Sequence, residues 1–227
     1  MTKPHPTVHS FQSSDWKHII ISGAREIGIV VSGPQMERLV RFAQMLIDWN
    51  RRVNLTAITD PREVAVKHFL DSMAALPHIP ETGYLLDIGS GGGFPGLVIS
   101  IFRPSLSITS IDSVRKKISF QQQVIRTLEL KGSRALHARA ESLAGQPERY
   151  DVIISRALGS LQMFVTLGLP VLAEEGRMIA YKGGVDDGGR DEVAFLKKRQ
   201  EGISVDIQSY SLSFSGDRRS LVFIRPR

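Results

Sequence analysis

The spacing of apolar positions changes at about residue 80. Before that point the apolar residues recur every three or four positions. Trp16, Ile19, Ile20 and Ala24 predict a short helix ending near Gly28. Met36, Leu39, Val40, Ala43, Leu46, Ile47 and Asn50 recur at helical spacing and predict a second, with Ser32 as its cap and Pro34 in its first turn. Asp60-Pro61-Arg62-Glu63 reads as N-cap, first-turn proline and acidic third position. The third helix that it opens should run through His68 and Ser72 to about Leu76. Residues 1–12 are polar with two prolines, and are expected to be disordered.

After Pro80-Glu81-Thr82-Gly83, β-rich runs alternate with helical ones. The strand-like runs are YLLDI (84–88), LSITSID (106–112), SRALHA (133–138), YDVIIS (150–155) and GRMIAYKG (176–183). Helices are predicted near 95–103, 114–130, 160–173 and 189–200. The chain closes with ISVDIQSYSLSF (203–214), a GDRR turn (216–219) and SLVFIRP (220–226), an antiparallel pair. Seven strands alternating with helices predict a mostly parallel sheet with helices on both faces. The expected organisation is a helical segment over 13–79 and an α/β domain over 80–227.

The 227 residues, 42% of them apolar, suffice for one such core plus the helical addition. No window approaches the ~18 apolar residues of a membrane span, and the first twelve residues hold no signal-like apolar run. A cytoplasmic protein that does not engage membranes is the expectation. Cysteine is absent, which excludes disulfides, cysteine-based zinc sites and a thiol nucleophile. A net charge of +6 tilts the partner toward a polyanion. Arg51-Arg52, Arg115-Lys116-Lys117, Lys197-Lys198-Arg199 and Arg218-Arg219 are candidate phosphate contacts, one or two of which are expected to serve. Aromatics interleaved with basic residues are lacking, so a nucleic-acid partner would be recognised by its folded shape.

The strongest chemical signal is DIGSGGGFPG, Asp87 to Gly96, at the carboxyl end of the first predicted strand. Ligands bind at that edge of open parallel sheets. Gly89, Gly91 and Gly93 permit positive φ and close approach of backbone to ligand. Gly91-x-Gly93-x-x-Gly96 also fits a dinucleotide fingerprint, but a carboxylate pointing into the cleft from Asp87 would repel a pyrophosphate. It would suit a ligand bearing an ammonium and a sulfonium, such as S-adenosylmethionine. Asp112, ending the second strand, can accept from both ribose hydroxyls. Ala140 and Glu141, after the third, are placed to flank an adenine edge. Phe94 either lies against the cofactor or packs in the core.

DIGSGGGFPG with Ile111-Asp112-Ser113 resembles motifs of class I S-adenosylmethionine-dependent methyltransferases, which have a Rossmann-like fold. NLTAI (54–58), KHFLDS (67–72), GGFPG (92–96), ARAE (138–141), ISRA (154–157) and YKG (181–183) extend the likeness over most of the chain after residue 30. Together they resemble the glucose-inhibited division protein B family. That family methylates a guanine of 16S (small-subunit) ribosomal RNA at ring nitrogen seven. The resemblance implies S-adenosyl-L-methionine as cofactor and 16S ribosomal RNA or the small ribosomal subunit as substrate, not DNA. A monomer is expected. It places Arg156 in the cofactor site and His68 with Asp71 at the rim. Asn54 and Thr56 are either substrate contacts or turn formers. Arg139 and Lys182, at the carboxyl edge, could meet RNA phosphate; Arg139 could instead pair with Asp87 or Glu141.

The residues narrow the chemistry further. Methylation of a pyrimidine carbon ordinarily needs the missing cysteine. Exocyclic amine methylation often uses a Pro-Pro-aromatic loop where this chain has Ser155-Arg156-Ala157-Leu158. A guanine ring nitrogen has an in-plane lone pair and no proton to lose, so no general base is required. A nicotinamide-dependent oxidoreductase, told apart by its cofactor, and a non-catalytic RNA-binding protein, told apart by turnover, are the alternatives.

Overall fold

A computed structural model describes residues 11–143, 145, 147–156, 158–184, 187–199 and 202–227. Residues 1–10 of the expected disordered tail lie outside the described residues. Phe11, assigned to that tail, is instead 1% exposed and meets Trp16 edge-on at 5.7 Å. Burying that ring removes a large apolar surface from water, which fixes the chain there.

Two amphipathic helices follow, α1 (Ser14–Glu26) and α2 (Gly33–Asn50). Ser32 caps α2 reciprocally with Gln35: each backbone N–H donates to the other's side chain. Asp60 caps α3 (Pro61–Val64) by accepting from Glu63 N–H at 3.0 Å. The expected single α-helix to Leu76 then departs from regular geometry. Ala65–Leu70 forms a π-helix, α4 (Asp71–Met73) resumes, and Leu76–His78 is a 3-10 turn. The Nε1–H of Trp16 donates to the Pro61 carbonyl at 3.0 Å, tying α1 to this segment.

The sheet contains β1 (Gly83–Ile88), β2 (Leu106–Asp112), β3 (Ser133–His137), β4 (Tyr150–Ser155), β5 (Leu172–Gly183), β6 (Ile203–Ser211) and β7 (Arg218–Pro226). Their order is β3-β2-β1-β4-β5-β7-β6, parallel through β5, with β7 antiparallel to both β5 and β6. The Rossmann-like sheet is thus as predicted. Several boundaries moved: β5 starts four residues earlier, β6 stops at Ser211 rather than 214, and Arg218 and Arg219 belong to β7 rather than the turn. Leu212 and Asp217 close the hairpin, with Gly216 N–H donating to the Leu212 carbonyl, so pairing resumes at once.

The strands alternate cleanly between faces. Leu85, Ile108, Val152, Ile154 and Ile179 pack against the N-terminal helices, α5 (Gly96–Phe102) and α6 (Arg115–Thr127). Leu86, Ile88, Ile111, Ile153 and Met178 face α7 (Leu161–Gly168) and α8 (Asp187–Arg199). The strand order reverses between β1 and β4, which opens a crevice at their carboxyl ends, where open α/β sheets take ligands.

Candidate functional site

The glycine loop begins at that crevice. Gly89, Gly91 and Gly93 have φ of +70°, +56° and +87°. A Cβ on Gly91 would meet nothing nearer than the Gly89 carbonyl at 4.0 Å, so its space is open. A Cβ on Gly93 would stand 2.6 Å from Leu97, so this glycine serves packing instead. The loop is tied to β2: Gly89 and Ser90 N–H both donate to the Ile111 carbonyl at 3.0 Å.

A cavity of about 360 Å³ adjoins this turn. Its walls include Gly89, Asp112, Arg139, Ala140 and Glu141 beside the apolar Ile88, Ile111, Leu158 and Met163. Asp112 is the polar anchor. Its Oδ2 accepts from Gly91 N–H at 2.9 Å and its Oδ1 from Val114 N–H at 2.8 Å. A carboxylate has about four acceptor positions, so one remains on each oxygen. Two such positions side by side match a vicinal diol, and the apolar walls match a flat heterocycle. The residues present therefore fit the nucleoside half of S-adenosylmethionine. Arg139 is exposed, and no ion pair joins it to Asp87 or Glu141 among the described residues.

Asp87 corrects an expectation. Its side chain does not point into the cleft: it is 0% exposed and turns beneath the loop, where Oδ2 accepts from Gly96 N–H at 2.9 Å. The reason is the strand's alternation, which puts Leu85 and Asp87 on the face that α5 covers. Its Oδ1 has no hydrogen-bond partner among the described residues, nor has the nearby Ser110 Oγ. Burial pushes the Asp87 carboxyl up to about 7, against the lowering effects of Gly96 N–H and Arg156.

Phe94 packs in the core and is not among the residues that line the cavity at Asp112. It is 4% exposed and sandwiched between Phe42, stacked at 4.8 Å, and His68, stacked at 4.7 Å. Arg156 lies over the same ring at 5.3 Å. Arg156 lines not the cavity around Asp112 but a second, of about 310 Å³, with Ser155, Gly159, Tyr181 and Lys182; Leu158 belongs to both. Ala157 lies outside the described residues.

Arg156 also organises the rim. It donates to the Lys67 carbonyl at 3.1 Å and to His68 Nδ1 at 3.1 Å, and pairs with Asp71 at 3.5 Å. A guanidinium can only donate, so Nδ1 must accept and the imidazole proton sits on Nε2. That proton goes to Thr56 Oγ1 at 2.8 Å, which also accepts from Ile58 N–H at 3.0 Å. Burial, helped by Arg156, holds the His68 pKa down at about 3, so the ring is neutral. Asp71 accepts in addition from Tyr210 Oη at 2.8 Å and pairs with Arg219 at 3.8 Å. His68 and Asp71 thus share Arg156, on either side of the π-helix end.

Lys182 is at the carboxyl edge, donating to the Gly159 carbonyl at 3.0 Å and pairing with Glu192 at 3.3 Å. Asn54 is exposed. The loop's organiser is instead Asn50, which sequence reasoning took only as a helix position. Its Oδ1 accepts from Leu55 and Thr56 N–H, and its amide donates to the Thr56 carbonyl. Glu192, accepting from Leu161 N–H at the start of α7, was also missed. Neither residue carries a sequence signal, because both act on backbone groups brought near by folding.

Comparison with known proteins points to one family. The family model GidB, rRNA small subunit methyltransferase G, matches residues 35–221. The chain is 43% identical over 212 residues to "Ribosomal RNA small subunit methyltransferase G" of a Geobacter species, covering 92% of this chain and 96% of that protein. It is 40% identical over 210 residues to the protein of the same name from Geobacter metallireducens, covering 91% and 94%. Among solved structures, TrmN from Thermus thermophilus superposes with a TM-score of 0.56 at 16% identity, over 82% of this chain and 53% of that longer one. Coclaurine N-methyltransferase bound to N-methylheliamine and SAH gives 0.54 at 14% identity, over 89% and 75%. These two likenesses concern the fold.

Proposed function

The chain belongs to the GidB family, rRNA small subunit methyltransferase G, and from that premise we propose its reaction: methyl transfer from S-adenosyl-L-methionine to ring nitrogen seven of a guanine in 16S ribosomal RNA. The observation that carries the choice of atom is the lining of the second cavity. Its described residues offer backbone, apolar groups, hydroxyls and two cations, with no carboxylate and no imidazole. Tyr181 is held protonated, its pKa raised by burial. His68 has both ring nitrogens engaged. The nearest carboxylate, Glu192, stands behind the lining and is engaged by Leu161 N–H and Lys182. A nucleophile that had to lose a proton would find no acceptor among the described lining residues themselves; a ring nitrogen with a free lone pair needs none.

When bound, S-adenosylmethionine supplies an electrophilic methyl group on a sulfonium. The protein's share is placement. Asp112 would hold the ribose diol, with Ile88, Ile111, Leu158 and Met163 closing on the base and Ala140 and Glu141 at its edge. Asp71 offsets the charge of Arg156 and holds its guanidinium against His68, which lessens its repulsion of a guanine that becomes cationic. Lys182 would exchange Glu192 for an RNA phosphate, Arg139 would take another, and Asn54 would meet the substrate from its exposed loop. The substrate is 16S ribosomal RNA or the small subunit, and the protein acts as a monomer in the cytoplasm. No described helix is long and apolar enough to cross a membrane.

Incubation with labelled S-adenosylmethionine and unmodified small subunits should yield 7-methylguanosine, at a rate that varies little between about pH 6 and 9. RNA carrying 7-deazaguanine at the target should accept no methyl group. Label on an exocyclic amine would end this reading.

A further inference from the structure

The second face of the sheet is only partly covered. Helix α6 joins β2 to β3 on the opposite face, and the described link from β3 to β4 holds a single 3-10 turn, Ala140–Leu143. The amino-terminal halves of β1, β2 and β3 therefore lie open on the face where Leu86 and Ile111 point. A groove of about 600 Å³ runs there. Tyr84 stands in it 60% exposed, its backbone N–H fixed to Asp151 at 2.7 Å. The lining carries three cations, Lys131, Arg134 and Arg149, against one anion, Glu148, with hydroxyls of Ser107, Thr109 and Ser133 between them. Arg134 is braced from below by Thr109 Oγ1, accepting at 2.9 Å from its Nε–H, and its tip reaches Glu148 at 3.4 Å.

We propose that this groove binds an unpaired stretch of the substrate RNA, with Tyr84 as a stacking platform for a base and the cations as phosphate contacts. An exposed aromatic ring on a sheet face, flanked by cations and hydroxyls, is the combination that recognises single-stranded nucleic acid. Charge complementarity selects a polyanion over an apolar partner. Position supports the same occupant: Tyr84 and Ile88 belong to one strand, so ~13 Å separates the groove from the cavity at Asp112 along β1. An RNA strand reaching the methyl-transfer edge could continue down this face. The proposal rests on the RNA-methylating function above, and adds a second contact remote from the reacting atoms.

The test is a fluorescence titration of the full chain with a labelled single-stranded oligoribonucleotide of about ten nucleotides. Tyr84→Ala should weaken binding roughly tenfold, as loss of one stacked base does, whereas Tyr84→Phe, which keeps the ring, should bind like wild type. Lys131→Glu with Arg149→Glu should flatten the log–log salt dependence by ~0.7 for each phosphate lost. All three variants should bind S-adenosylmethionine normally, which verifies their fold. On small subunits, Tyr84→Ala should raise KM and leave kcat in place. Oligonucleotide affinity unchanged in Tyr84→Ala would overturn the assignment, as would loss in Tyr84→Phe equal to that in Tyr84→Ala. A change in self-association with RNA affinity intact would make the face a protein interface and also overturn it. If the wild-type protein methylates no RNA, the proposed function falls, and the oligonucleotide titration still judges the groove.

Discussion

Asp87 and Asp112 end neighbouring strands, yet their surroundings divide them. Asp112 is held by two backbone N–H groups with acceptor positions left at the cavity wall. Asp112→Ala should weaken S-adenosylmethionine binding by ~1–3 kcal/mol, measured by calorimetry; unchanged affinity would leave it as a loop brace only. Asp87 keeps its proton up to about 7 when folded, against 3.8 as the ordinary value. Between those values the native state holds a proton that the unfolded chain has released. Its contribution is therefore full below about pH 4 and is lost as pH rises toward 7, by roughly 1.4 kcal/mol per unit at most. His68 runs the other way: held near 3 against 6.5, it favours the native state increasingly as pH rises through that interval. Denaturation curves of wild type and Asp87→Asn should thus diverge in the variant's favour between pH 4 and 7, and run parallel above. The glycines and both carboxylates were legible in DIGSGGGFPG and LSITSID. Which way Asp87 points was not, because that depends on which face α5 covers.

At the scale of elements, the helices and strands followed from periodicity and caps, down to Ser32 and Asp60. The π-helix at Ala65–Leu70 did not, since it has the same apolar spacing as the α-helix it interrupts. Nor did the loop from 51 to 58, whose shape is imposed by Asn50 through three hydrogen bonds to backbone. Together these two irregular pieces set His68 between Thr56 and Arg156. Asn50→Ala should cost ~1–3 kcal/mol in chemical denaturation by leaving those groups unpaired. It should also lower methyl transfer more than cofactor affinity, because the loop adjoins the rim and not the cavity at Asp112. Equal losses in both would assign Asn50 to general stability alone.

For the molecule as a whole, the +6 charge is distributed unevenly in its usefulness. Arg219 is occupied by Asp71 and Asp217, and Arg51 reaches Asp48, so the paired basic runs are poorer phosphate ligands than their sequence suggests. RNA affinity should fall steeply with salt, and Arg139→Ala or Lys182→Ala should each reduce the slope by about one unit; a flat response would reduce the charge to a solvated surface. The change of rhythm at residue 80 marks where helices give way to strands, and the core runs straight across it. Phe42 from α2 and His68 from the π-helix clasp Phe94 of the glycine loop, while Trp16 and Phe69 complete the same cluster. A gene truncated to begin at codon 80 would accordingly encode a half-clad sheet, with Leu85, Leu97 and Phe94 stripped of their cover. Such a product should collect in inclusion bodies. Supplying residues 1–79 as a separate polypeptide in the same cell should bring it back into the soluble fraction.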